Sequence, residues 1–283
     1  MIQQYENKVI SNLMLYVDHE VLRKGQAFTN YSSFFYPTKT TTNGLYNYSA
    51  PFKQMVGDVS ISGANIMSGI YLSGEEHNCE PSFPGEDNFV SINYNQGTVQ
   101  FNSLIAAGHT ISGNYAVKDF NFYLTNKNEE EILFEKKLHL RPKTNQKLTG
   151  LSPDSLTYPS IFVKSQFSEN SPAAFGGFDF TKIEVRMIVL ADSLFNLDAV
   201  CSILRDLNFT SFYYVEDELP FNAYGAYTGE LFNYTGLNKD NGYGFIDKVY
   251  VSKNVGSELN KLNPEVFTAF VDFETKEIRK PRN

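Results

Sequence analysis

Lys182-Ile183-Glu184-Val185-Arg186-Met187-Ile188-Val189-Leu190 places Ile183, Val185 and Met187 on one parity and ends in an unbroken apolar run. Such alternation marks a half-buried strand, and the apolar end marks a stretch covered on both faces. Directly after it, Asp192 or Ser193 stands where a helix N-cap belongs. Leu194, Leu197, Val200, Cys201, Leu204 and Leu207 then recur at three- and four-residue steps, the stripe of a helix that buries one side. Residues 210–215 read as a strand again. The β-α-β run over 182–215 is expected to organise the second half of the chain.

Further toward the C-terminus, residues 245–252 and 266–273 read as two more strands. The basic residues Lys276, Arg279, Lys280 and Arg282 read as a solvated end. Toward the N-terminus, residues 141–158 read as a loop containing Pro142 and Pro153. Before it, residues 66–140 read as an antiparallel β meander. A short strand over 66–72 precedes a polar loop over 73–87. Phe89–Tyr94 and Thr98–Phe101 flank Asn95-Gln96-Gly97, a strong hairpin signal. A long strand is expected over 114–125, with Phe120, Phe122 and Leu124 on one face. A further strand is expected through Ile132, Phe134, Leu138 and Leu140, which share one parity.

The first 58 residues differ. Ile10, Leu13, Met14, Val17, Val21 and Leu22 form a narrow helical stripe over residues 3–24, with Gly25 as a stop. Residues 26–58 are rich in Thr, Ser, Asn and Tyr, and a structureless connection of that length is unusual inside a compact domain. Either short strands are hidden there or a neighbouring molecule orders it. The expected fold is α+β and β-rich: an N-terminal helix and extended arm (1–58) and a β-rich body (59–283). The body divides, if at all, near 141–158. A terminal helix followed by an aromatic arm suits subunit contacts, and the candidate interface residues are Ile10, Leu13, Met14, Val17, Val21, Tyr31, Phe34, Phe35 and Tyr36.

Composition narrows the function classes. The net charge is −8, and no basic face stands out that would hold nucleic acid nonspecifically. Aromatics are 15% of the chain, all Tyr and Phe, types that favour strands and interfaces. Two cysteines, Cys79 and Cys201, do not make a disulfide scaffold, and Cys201 reads as a buried free thiol. The N-terminus lacks the features of a signal peptide, and no apolar run reaches the roughly 18 residues of a membrane span. The expectation is a protein made in a cytoplasm and placed on no membrane.

Chemistry is hard to find. No phosphate-binding glycine pattern and no nucleophile elbow occurs, and Gly176-Gly177 reads as a backbone turn. His19-Glu20 opens an H-E-x-x-H zinc motif, but Arg23 stands where the second histidine belongs. The loop around His77 and Cys79 lacks a second Cys/His pair. Asn238-Lys239-Asp240-Asn241-Gly242 lacks the distal carboxylate of a calcium loop, because Val249 occupies that place, and it reads as a hairpin turn. No catalytic, cofactor-binding or metal-ligating residue is assigned, and no cofactor is expected.

Six stretches carry a resemblance. They are Leu22-Arg23-Lys24-Gly25-Gln26-Ala27-Phe28-Thr29-Asn30-Tyr31-Ser32-Ser33; Gly44-Leu45-Tyr46-Asn47-Tyr48 with Ala50-Pro51-Phe52-Lys53-Gln54; Ile92-Asn93-Tyr94-Asn95-Gln96-Gly97-Thr98-Val99-Gln100-Phe101; Val189-Leu190-Ala191-Asp192-Ser193-Leu194-Phe195-Asn196-Leu197-Asp198; and Phe270-Val271-Asp272-Phe273-Glu274. Through them the chain resembles, nearly end to end, a family of virion structural proteins of tailed phages, often of marine or freshwater bacteria. None of the stretches is a chemical motif, so the resemblance carries over no functional residue. It implies a structural part of the virion, foremost a neck, connector or tail-completion protein forming a ring between capsid and tail. Its partners would be its own copies and adjacent neck, portal or tail proteins, with no sequence-specific nucleic acid. A tail-tube or baseplate component is the alternative within that class. A carbohydrate- or receptor-binding module is the alternative outside it, since clustered Tyr can stack on sugars. A negative net charge also suits a wall past which DNA must slide.

Overall fold

The structure, a computed structural model, describes residues 4–42, 44–73, 75–78, 89–125, 127–134, 158–173, 178–215, 219–222, 226–240, 242–253 and 266–279. Three helices and two sheets account for most of them. The helices are α1 (Tyr5–Gly25), α2 (Glu129–Phe134) and α3 (Leu194–Arg205). One sheet contains β1 (Phe28–Thr42), β2 (Leu45–Ser49), β3 (Gly69–Leu72), β4 (Glu75–Asn78), β5 (Phe89–Asn93), β6 (Thr98–Phe101) and β7 (Ile111–Lys118). Its order is β4-β3-β7-β1-β2-β6-β5, antiparallel throughout. The other contains β8 (Asn121–Leu124), β9 (Ser160–Pro172), β10 (Asp179–Ala191), β11 (Ser211–Tyr213), β12 (Tyr243–Lys253) and β13 (Phe267–Arg279). Its order is β11-β12-β13-β10-β9-β8, antiparallel except for the β8–β9 pair.

β10 is a central strand, paired along its whole length to β13 and along most of it to β9. Ile183, Val185, Met187 and Val189 face the helices and join the main core with Leu197, Val200, Cys201 and Leu204 of α3. On the opposite face Arg186 binds Asp272 through Nε at 2.6 Å and Glu129 through Nη1 at 3.0 Å. The apolar end is covered on that face too, because Ile132 of α2, Tyr158 and Phe162 close over Ile188 and Leu190. Ser193 caps α3, its hydroxyl accepting from the Asn196 amide at 3.2 Å.

The strand-helix-strand succession is present, but its two strands are not neighbours. β13 and β12 lie between β10 and β11, and the pairing directions make β10 and β11 antiparallel. α3 packs over β10, β13 and β12, so the chain crosses two strand positions before it returns.

Of the two readings of residues 26–58, hidden strands are the one the structure shows: Phe28–Thr42 is β1 and Leu45–Ser49 is β2, with β1 paired to β7 over eight residue pairs. Two other expectations are corrected. The long strand over 114–125 is two strands in different sheets. The chain turns at Asp119-Phe120, where the Asp119 amide donates to the Ala27 carbonyl at 2.8 Å and Phe120 is buried. Ile132 and Phe134 lie in α2 rather than in a strand, because Glu129-Glu130-Glu131 supply the acidic first turn that favours a helix; Leu138 and Leu140 lie outside the described residues. The meander is therefore an interleaved sheet, in which β7 inserts between β3 and β1. The 89–101 hairpin forms as expected. Gly97 sits at φ +65° with a would-be Cβ 2.2 Å from the Phe52 carbonyl oxygen, so only glycine fits there. At the C-terminus, Lys276 and Arg279 belong to β13, with Lys276 paired to Asp247 and Arg279 lying over the Tyr5 ring. Gly176-Gly177 and the loop over 141–157 lie outside the described residues.

Candidate functional site

Strand alternation on β1 turns Phe35 inward and leaves Phe34 and Tyr36 each 52% exposed. Phe35 packs on Tyr115, with ring centroids 5.8 Å apart, and against Gly113, where a Cβ would stand 2.8 Å from Met67 Sδ and 3.2 Å from the Phe35 ring. Phe34 and Tyr36 line a mostly apolar groove of about 460 Å³, together with Tyr48, Leu104, Ile105 and His109. Its far wall is the loop between β6 and β7. Tyr48 pins that loop by accepting the Ile105 amide at 3.0 Å, and Ser73 holds it through His109 Nδ1 at 2.9 Å. Leu104 is 65% exposed on the rim. An aromatic groove with exposed apolar walls is the kind of surface that partners bury.

Of the candidate interface residues, Phe34, Phe35 and Tyr36 meet at this groove. Tyr31 is half-buried on Phe52, with ring centroids 4.5 Å apart. The helical residues lie elsewhere. Leu13, Val17 and Val21 are fully buried in the main core of the same chain, and Ile10 and Met14 pack against it half-buried. A neighbouring subunit could reach Leu13, Val17 or Val21 only by opening that core. The narrow stripe misled because α1 is enclosed on nearly all sides from Ser11 to Leu22, polar residues included. Leu15, on the flank opposite the stripe, packs with Val215, Phe221 and Phe232.

The polar residues of α1 are buried because each has a partner. Asn12 accepts from the Val215 amide at 2.8 Å and donates to the Lys8 carbonyl at 2.9 Å. Asp18 receives Lys118 Nζ on both carboxylate oxygens, each at 2.7 Å. His19 meets Asp58 Oδ2 through Nδ1 at 2.7 Å and stacks on Tyr234 at 4.3 Å between centroids. Glu20 is held by Arg23 at 2.8 Å and Lys24 at 2.9 Å. Asp58 Oδ1 also accepts the Ser60 hydroxyl at 2.6 Å, the Ser60 amide at 3.0 Å and the Tyr234 amide at 3.1 Å. Burial pushes the Asp58 carboxyl up, but these hydrogen bonds outweigh it and hold the group below the usual carboxylate range. Burial raises Asp18, against the pull of Lys118.

This cluster joins α1 to β7 and to the segments around residues 58 and 234. It is not arranged as a nucleophile relay: the Ser60 hydroxyl is bonded to Asp58, with the imidazole on the other carboxylate oxygen. His19 and Glu20, which open the incomplete H-E-x-x-H pattern, are both engaged by protein groups. Residues 75–78 of the expected polar loop form β4 against β3, and Cys79 lies outside the described residues. Asn238 makes a local turn by accepting the Asp240 amide at 3.0 Å; the strands nearest it in sequence, β11 and β12, are separated by a long excursion, so the turn is not a tight hairpin. Cys201 is a buried free thiol whose pKa burial pushes up to about 11. Among the described residues no three His, Cys, Asp or Glu side chains gather as a metal site, and no helix is long and apolar enough to cross a membrane.

The sequence reading missed Asp18, Asp58 and Lys118, and the loop residues Leu104, Ile105 and His109. The available signal was Asp18-His19-Glu20, three polar residues in the middle of an apolar helix without a break in periodicity. No family model matches the chain, and no curated protein matches it.

Proposed function

We propose that the chain is a structural subunit of a tailed-phage virion, a neck, connector or tail-completion protein that forms a ring between capsid and tail. The observation that carries self-association is the groove flanked by Phe34 and Tyr36, each half-exposed beside a buried Phe35. Large aromatics left open around a concave apolar surface are typical anchors of a subunit contact. The resemblance carries the placement in a phage particle, and two of its stretches (residues 22–33 and 44–48) border this groove in sequence. The partners are further copies of the chain and adjacent neck, portal or tail proteins. A tail-tube or baseplate role uses the same surface.

The test is an image of the phage particle with this subunit labelled, read with the oligomeric state of the purified protein. A labelled ring at the capsid–tail junction supports the reading. Label along the tail or at its tip favours the tube or baseplate role, and label absent from the particle rejects the proposal. A second reading rests on the same rings: Phe34 and Tyr36, exposed beside His109, could stack on and bind a sugar. Saturable glycan binding by a chain that stays monomeric would favour it.

A further inference from the structure

We infer that Asp18 and Lys118 close an amide bond within the chain, a covalent strut from α1 to the seven-stranded sheet. Lys118 is the last residue of β7, fixed by pairing with Phe28 and by the hydrogen bond its backbone amide donates to the Gln54 carbonyl at 3.1 Å. Its Nζ stands 2.7 Å from each oxygen of Asp18. The two side chains are only 10% and 9% exposed. Both are flanked by core residues, Val17 beside Asp18 and Val117 beside Lys118. Several other lysine–carboxylate pairs are more open to water: Lys24 with Glu20, Lys182 with Glu184 and Glu274, Lys253 with Asp198, and Lys276 with Asp247.

The chemistry needs no further reagent. A proton passes from Lys118 Nζ to the Asp18 carboxylate along the existing hydrogen bond. The freed amine lone pair attacks Cγ and forms the C–N bond. One Cγ–O bond then breaks, and the oxygen leaves as water with the transferred proton and a second proton from Nζ. An ammonium and a carboxylate become one neutral amide and one water. In bulk water this condensation fails because the two groups must be brought together and stay hydrated. Groups held together and brought into alignment reach effective concentrations of up to about 10⁵–10⁸ M, and the paired Nζ needs only to swing from the carboxylate edge to its face. Burial adds a second drive: a charged pair taken out of water carries a desolvation penalty that a neutral amide avoids. The rise of the Asp18 carboxyl with burial, reinforced by the charge of Asp58, favours the protonated form from which hydroxyl can leave.

The link ties the helix at the centre of the core to the sheet that carries the Phe34–Tyr36 groove, bracing the molecule against pulling. The inference is independent of the phage reading. The test is the intact mass of the full purified chain after denaturation in acid, followed by protease mapping. Most molecules are expected to weigh one water less than their sequence requires, with a branched peptide joining the segment around Asp18 to that around Lys118. Lys118→Arg, which keeps the charge but removes the amine nucleophile, should restore the full mass. A wild-type chain at full sequence mass overturns the inference, whatever the variant does. So does a missing water that maps to any other pair of residues.

Discussion

Asp58 shows how much can depend on one carboxylate. It accepts four hydrogen bonds from three parts of the chain while almost wholly buried. Asp58→Ala would strand the His19 imidazole and the Ser60 and Tyr234 amides, at about 1–3 kcal/mol for each buried group left unsatisfied. The pH dependence has a definite sign. A carboxyl held lower in the folded chain than its unfolded value, about 3.9, stabilises fully above that value. The contribution fades as pH falls through the folded value. Urea midpoints of the wild type should therefore drop below about pH 4 more steeply than those of Asp58→Asn; parallel curves would show that Asp58 takes no part. Cys201 gives a second test at this scale. A thiol raised to about 11 and on the buried face of α3 should react with iodoacetamide more than about a hundredfold slower than the same residue in denaturant. Rapid labelling mapped to Cys201 in the native protein would contradict the packing of that helix.

Among the elements, α3 and β10 were legible because their periods survive burial. Leu197 and Leu204 sit at 0% exposure, so Leu197→Ala and Leu204→Ala should each cost about 2–5 kcal/mol in chemical denaturation. An unchanged midpoint for both would put that face in solvent. The hairpin at Gly97 was legible for a related reason: its turn residues have few other uses. α1 was legible as a helix and misread in its surroundings. Periodicity marks Asp18, His19 and Glu20 as a solvated face, but long-range partners such as Asp58 and Lys118 bring them inside, and no local pattern announces such partners. The division of residues 114–125 between two sheets was hidden similarly. Phe120 and Phe122 keep the alternation of one strand, and the turn at Asp119-Phe120 is held by the Ala27 carbonyl and the Thr29 hydroxyl, far away in sequence. Half of the groove was readable from Phe34-Phe35-Tyr36; its far wall is a loop that only the fold brings alongside.

At the scale of the whole molecule, the first 58 residues are structural. α1 contributes Leu13, Val17 and Val21 to the main core, and β1 joins β7 to β2 in the middle of its sheet. Deleting residues 1–58 should therefore abolish cooperative thermal unfolding, as read by near-ultraviolet circular dichroism. A truncated chain that melts sharply would show that the β-rich body folds alone. Assembly has to be probed instead by changes that spare the core. Phe34 and Tyr36 are half-exposed, so Phe34→Ser with Tyr36→Ser should alter stability by only about 0.5 kcal/mol per site. The most direct measurement is sedimentation of the wild type and this double variant across a range of concentrations. The account predicts that the wild type forms a closed oligomer of one defined size, and that the double variant stays monomeric with an unchanged melting temperature. A wild type that remains monomeric at every concentration, or a double variant that assembles as well as the wild type, would contradict it.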